Sequence, residues 1–204
     1  MKIICIGRNY AAHAAELNNP VPTTPLLFLK PSTALLTDNK PFYYPSFTKD
    51  LHYEVELVLK ICKNGKHIQP AFAHQYYQEI TVGIDFTARD LQEQCKQKGH
   101  PWEVAKAFDH SAVVGQFIPL AQAKADEGQI LFSLSQNGKI VQQGDSREMI
   151  TSFDALICYA STFFTLQKGD LIFTGTPKGV GPVQIGDELQ AKIGEQNLLQ
   201  FAIK

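Results

Sequence analysis

The stretch LHYEVELVLKI, residues 51–61, restricts the fold of this chain more than any other. Strand side chains alternate faces, so Tyr53, Val55, Leu57, Leu59 and Ile61 form one apolar side, with His52, Glu54, Glu56 and Val58 opposite. The apolar side requires a core. The other side carries two carboxylates two residues apart, whose mutual repulsion in a cleft would raise one of their pKa values. Water, a partner cation or a metal ion each relieves that repulsion. On these two residues alone, an ordinary solvated strand face stays open as a reading.

The rest of the chain reads as β-rich around this strand. Residues 2–6 predict a strand, and YAAHAAELN a two-turn helix with Asn9 as its cap and Tyr10, His13 and Glu16 on one face. Residues 18–25 are a proline-rich connector, LLFLK a strand closed by Pro31, and 31–49 mostly loop. KNGK at 63–66 reverses the chain, a short helix follows Pro70, and ITVGID at 80–85 is a strand. Thr87 and Asp90 have the spacing of a capping box before a helix that ends at Gly99. ILFSLSQNGKIVQQG predicts a hairpin turning on Asn137-Gly138. Phe153, Leu156, Ile157, Ala160 and Phe164 make the stripe of one long apolar helix. LIFTG, a glycine-rich excursion, ELQAKI and NLLQFAI close the chain. With no regular strand–helix alternation, the expectation is a mixed or antiparallel α+β domain.

At 204 residues and a formal net charge of −1, the overall balance implies neither a nucleic-acid groove nor an anionic membrane surface. No apolar run approaches the ~20 residues of a membrane span, and KIICIG reads as a first strand rather than a leader. Cys5, Cys62, Cys95 and Cys158 are scattered without a CxxC pair, as expected of free thiols in a reducing compartment, so a cytoplasmic location is expected.

Two glutamates leave an oxygen shell incomplete. Asp85, ending a glycine-bearing strand just before a helix start, is the candidate third ligand, although nothing in composition joins it to the pair. Ligation by oxygen alone, with room for water, favours Mg²⁺ or Mn²⁺ over zinc.

Six stretches, ordered along nearly the whole chain, supply that join: IGRNYAAHAAEL, FLKP (28–31), HYEVELVL (52–59), VGIDFTARDLQ (82–92), PWEVAKAFD (101–109) and GDLIFTGTPKGVGP (169–182). Through them the sequence resembles the fumarylacetoacetate hydrolase superfamily, most of all its compact acylpyruvase and oxaloacetate decarboxylase branch. The resemblance implies an α+β mixed β-sandwich roll, a homodimer, and one catalytic domain over residues 1–204 with 8–20 as an active-site lid. It implies that Glu54, Glu56 and Asp85 hold Mg²⁺ or Mn²⁺, that Lys106 sits in the active site, and that His13 and Glu16 activate water. It places Lys30 near the pocket and Thr176 beside a bound carboxylate, with Arg8 and Arg89 as further substrate-binding candidates.

The activity so implied is cleavage of the C3–C4 bond of 2,4-diketo acids (acylpyruvates), or decarboxylation of oxaloacetate, through a metal-bound pyruvate enolate. An isomerase or tautomerase of 2-hydroxydienoate or oxaloacetate-type substrates needs the same enolate without breaking a carbon–carbon bond. A non-catalytic, metal-binding dimeric protein is the third reading. Lys106 offers a fixed ammonium for developing charge, and a histidine paired with a carboxylate at i, i+3 suits a general base. Asp90 is expected to cap a helix, Trp102 and Phe108 to pack, and His52 to hydrogen-bond beside the metal site. The GTPKGVG loop lacks the GKS or GKT ending of a phosphate loop, so the expected partner is a small 2-keto acid.

Overall fold

The computed structural model describes residues 1–16, 20, 22–123 and 128–204. In chain order the strands are β1 (Ile3–Gly7), β2 (Leu26–Lys30), β3 (Leu35–Leu36), β4 (Leu51–Tyr53), β5 (Val55–Ile61), β6 (Tyr77–Asp85), β7 (Thr87–Ala88), β8 (Ala112–Val114), β9 (Ile118–Pro119), β10 (Leu131–Gln136), β11 (Lys139–Asp145), β12 (Leu171–Phe173), β13 (Gly181–Pro182), β14 (Glu188–Ile193) and β15 (Gln196–Ala202). The α-helices are α1 (Ala11–Glu16), α2 (Arg89–Lys98), α3 (Glu103–Lys106), α4 (Leu120–Ala123) and α5 (Phe153–Phe163).

The described residues form three sheets. The largest runs β2-β1-β12-β5-β6-β8-β3, with β9 also on β6; its β1/β12 and β3/β8 pairs are parallel and the others antiparallel. A four-stranded antiparallel sheet, β11-β10-β14-β15, and a small β13-β4-β7 sheet complete the fold. This is the expected mixed α+β roll. The central strand β5 sends Val55, Leu57, Leu59 and Ile61 into the main core, while Val58 joins a second cluster with Ile3, Cys5, Leu171 and Phe173. Both faces of β5 are therefore buried, and the acidic side is not a wet one.

Local chemistry explains the elements that match expectation. Asn137 and Gly138, at φ 52° and 79°, make the tight turn joining β10 to β11. Gly99 ends α2 in the left-handed region, and Ser152 caps α5 by accepting from Ala155 N at 3.4 Å. The stripe of α5 buries Leu156, Ile157 and Ala160. Among the described residues no helix is long and apolar enough to cross a membrane, and all four cysteines are free.

Four expectations need correction. The strand at 51–61 is two strands, β4 and β5, broken at Glu54 where the chain leaves the small sheet for the large one. The strand read over 80–85 starts earlier, at Tyr77. Thr87 and Asp90 form no capping box: the Thr87 hydroxyl donates to Glu54, and Asp90 accepts from Thr48 Oγ1 at 2.6 Å and Lys49 N at 3.1 Å. Asn9 caps nothing either, because its amide is spent on Thr151 and on Thr174 O at 2.8 Å. Residues 17–19 of the proposed lid, with 21 of the connector, lie outside the described residues.

Candidate active site

Antiparallel register gathers the three carboxylates. Glu54 and Glu56 lie two residues apart, and β6 runs beside them so that Gly83 pairs with Glu56 and Asp85 N donates to Glu54 O at 2.8 Å. One carboxylate oxygen from each residue lies within 4.8 Å of the other two. All three are buried, at 5%, 2% and 1% exposure for Glu54, Glu56 and Asp85. Burial of that much negative charge requires compensation.

Three cations supply it. Lys106 Nζ, at the end of α3, bridges Glu54 Oε2 at 2.9 Å and Asp85 Oδ2 at 2.8 Å, and lies 5.2 Å from the centre of the Phe28 ring. Arg89, at the start of α2, reaches Glu54 Oε1 at 2.7 Å, where the Thr87 hydroxyl also donates at 3.0 Å. Lys30 Nζ lies 2.7 Å from Asp85 Oδ1, but its hydrogens go to Lys106 O and to Ser111 O and Oγ. Burial alone pushes the Glu54 carboxyl up, yet Lys106 and Arg89 override it and hold Glu54 well below the usual carboxylate range. Glu56 goes the other way. Burial, then the neighbouring Asp85 and Glu54, push it well above that range, against the one hydrogen bond it accepts from Gly175 N at 2.7 Å. Burial also opposes the charge on Lys106, but Asp85 and Glu54 outweigh it and raise its pKa above that of an ordinary lysine.

The glycine-rich loop and α1 close over this cluster together. Gly175 sits at φ 101°, and a Cβ there would stand 2.6 Å from that of Asn9, so the loop approaches the site only as glycine. His13 is buried, with Nδ1 3.4 Å from Glu16 Oε2, and both oxygens of Glu16 accept from Gly179 N at 3.1 Å. Gln142, reaching in from β11, accepts from Val55 N at 2.9 Å and donates to Thr176 Oγ1 at 3.0 Å and Pro177 O at 2.9 Å. One amide thus ties the strand break between the two glutamates to the loop carrying Thr176.

Of the ten candidate residues, Arg8, His13, Glu54, Glu56, Asp85, Arg89, Lys106 and Thr176 line a single cleft. Glu16 stands behind His13. Lys30 does not line the cleft: it is 2% exposed and enclosed behind Asp85, where its ammonium is fully engaged. His52 turns to Asp50 at 2.9 Å rather than to the carboxylates, and Trp102 lines the cleft instead of only packing. Gln92 and Lys96 were missed. They follow Arg89 by three and seven positions on α2, so a helical wheel drawn from Arg89 would have found them. Gln142 gives no such signal, since its role depends on two distant segments.

The residues fit a hard divalent cation. The donors are all carboxylate oxygens, one from each acid lying within 4.8 Å of the others, and Glu56 stands beside two other acids in a position a dication would stabilise.

The architecture is shared by solved structures. Fumarylpyruvate hydrolase from Pseudomonas aeruginosa, crystallised with Mn²⁺ and pyruvate, superposes at a TM-score of 0.92 with 38% identity, covering 100% of this chain and 89% of that one. The class is thus an α+β enzyme fold of curled, mixed sheets. The chain belongs to the fumarylacetoacetate hydrolase family, whose profile, described as Fumarylacetoacetate (FAA) hydrolase C-terminal, matches residues 2–203. It is 43% identical over 202 residues to oxaloacetate tautomerase FAHD1, mitochondrial, of Mus musculus, covering 99% of this chain and 91% of that protein. It is 44% identical over 188 residues to oxaloacetate tautomerase YcgM of Escherichia coli (strain K12), covering 92% and 86%.

Proposed function

We propose that this chain is a Mg²⁺- or Mn²⁺-dependent tautomerase of oxaloacetate, moving a proton between C3 and the C2 oxygen. The observation that carries this reading is the buried carboxylate triad with Lys106 at its side, in a cleft also lined by His13. Formal charge favours a dianion. Glu54, Glu56 and Asp85 face Lys30, Lys106 and Arg89, and Arg8 and Lys96 line the same cleft, so a bound dication leaves a positive excess that a 2-keto dicarboxylate reduces more than a monocarboxylate does.

Glu54, Glu56 and Asp85 would hold the ion, which when bound acts as a Lewis acid on a chelating keto acid. The chain's own groups do the rest. Lys106 Nζ sets a fixed positive charge beside the C2 oxygen as negative charge gathers there. His13, with Nδ1 3.4 Å from Glu16 Oε2, presents Nε2 to take the C3 proton and deliver it to the C2 oxygen as the enol forms, and to run the same transfer backwards as the keto acid re-forms. Thr176, its hydroxyl held by Gln142, receives the proximal carboxylate. The segment 8–16, fastened through Asn9 and Glu16 to the glycine-rich loop, serves as the described part of a lid that excludes water.

A second reading, hydrolytic cleavage of an acylpyruvate, is favoured by the Pseudomonas aeruginosa fumarylpyruvate hydrolase and by the same His13–Glu16 pair, which could activate water. Following the enol absorbance of oxaloacetate and, in a parallel arm, of acetylpyruvate, each with and without Mg²⁺ and alongside a pyruvate assay, separates the two. The expected result is metal-dependent loss of enol with no pyruvate formed beyond the metal-only blank. Stoichiometric pyruvate, or no dependence on metal, overturns the tautomerase reading.

A further inference from the structure

The reaction above leaves one wall of the cleft unused. Arg89, Gln92 and Lys96 fall at i, i+3 and i+7 on α2 and face the cleft, and Arg8, just after β1, lines it too. Arg89 is committed to Glu54 through one nitrogen and to Gln92 through another, while its buried Nε has no partner. Arg8 and Lys96 have no ion-pair partner among the described residues. Arg8 also holds a φ of 59°, a left-handed conformation that costs a non-glycine residue energy and that functional sites tend to retain. Around half-buried Lys96, burial and the charges of Arg89 and Arg8 disfavour the ammonium, with only Glu93 and the already paired Glu54 opposing them. Like charges gathered in a partly closed cleft are stabilised when an anion joins them.

We infer that Lys96 and Arg8 form an anion subsite for the distal carboxylate of the substrate, so that the cleft selects 2-keto dicarboxylates over monocarboxylates. The inference rests on the proposed function for the proximal end of the ligand, which the metal and Thr176 would hold. Lys96 is the specificity-determining residue of the pair, because its flexible stem can follow a carboxylate at the cleft mouth.

The test is calorimetric binding to the Mn²⁺-loaded protein of L-malate and (S)-2-hydroxybutyrate, unreactive four-carbon acids that differ only in a carboxylate or methyl at the far end. Wild type is expected to bind malate about tenfold or more tighter, as one charge-assisted contact allows. Lys96→Gln should bring the ratio to within about threefold, and Lys96→Arg, which keeps the cation, should restore most of it. Equal affinities in wild type, or an unchanged ratio in Lys96→Gln, overturn the subsite. An oxaloacetate tautomerase assay on the same wild-type preparation keeps the two claims apart. A malate preference that depends on Lys96 in a protein without tautomerase activity supports the subsite and refutes the reaction.

Discussion

Lys106 has two tasks that one substitution can separate. In the metal-free protein it is the cation shared by Glu54 and Asp85, and it is almost entirely buried. Lys106→Ala leaves those two carboxylates facing each other, and breaking a buried pair in this way costs about 3–5 kcal/mol. The variant should therefore melt well below wild type in EDTA, and Mn²⁺, by replacing the missing charge, should recover most of the difference. Thermal denaturation with and without Mn²⁺ checks this; equal melting temperatures in EDTA contradict it. Lys106 was readable as a site residue through the stretch PWEVAKAFD, but its bridging position was not, because it depends on β5 and β6 meeting in one register. Thr87 was misread for a related reason. Its spacing to Asp90 satisfies a capping rule locally, and the stronger claim of the Glu54 carboxylate on its hydroxyl comes from another element.

At the level of elements, the site depends on side chains that cross between sheets. Gln142 satisfies Val55 N, which stands at the strand break, and holds Thr176 from the other side. Gln142→Leu keeps similar bulk but takes the amide away from Val55 N, Thr176 Oγ1 and Pro177 O, so stability should fall by about 1–3 kcal/mol, and hydrogen exchange at Val55 should accelerate. Unchanged protection at Val55 would show that this amide does not fasten the break. The β10–β11 hairpin has a similar tie in Asp187, which accepts from Gln136 Nε2, Asn137 Nδ2 and Gln184 N, each at 2.7 Å. Burial pushes the Asp187 carboxyl up, but these bonds outweigh it and hold it below its ordinary value. A carboxyl lowered on folding adds stability above its unfolded pKa of about 3.9 and loses it as pH falls through the folded value. Asp187→Ala should therefore cost about 1–2 kcal/mol at neutral pH, and the gap to wild type should close in acid. A gap independent of pH in urea denaturation refutes that origin. The hairpin was legible because Asn137-Gly138 decides it locally; the Asp187 tie, fifty residues away, was not.

Across the whole molecule, alternation in residues 51–61 identified the core side of the central strand and left the other open among water, a cation and a metal. The second cluster, in which Ile3, Cys5, Leu171 and Phe173 join Val58, Ala34, Ala112 and Val114, covers the face that carries Glu54 and Glu56, and those first four residues come from β1 and β12, far apart in the sequence. Burial changes the meaning of the pair. On a wet strand two glutamates repel weakly through water, whereas here they lie in a closed, charge-matched cluster with Asp85, open only to the cleft. The account therefore stands on these three acids sharing one cation. Titration of the metal-free protein with Mn²⁺, followed by electron paramagnetic resonance, tests it most directly. One ion per chain is expected in wild type, with affinity at least about 100-fold weaker in Glu56→Gln, because removing a charged direct ligand should cost no less than the roughly 10–100-fold that loss of an outer partner costs. The same affinity in Glu56→Gln as in wild type would contradict it.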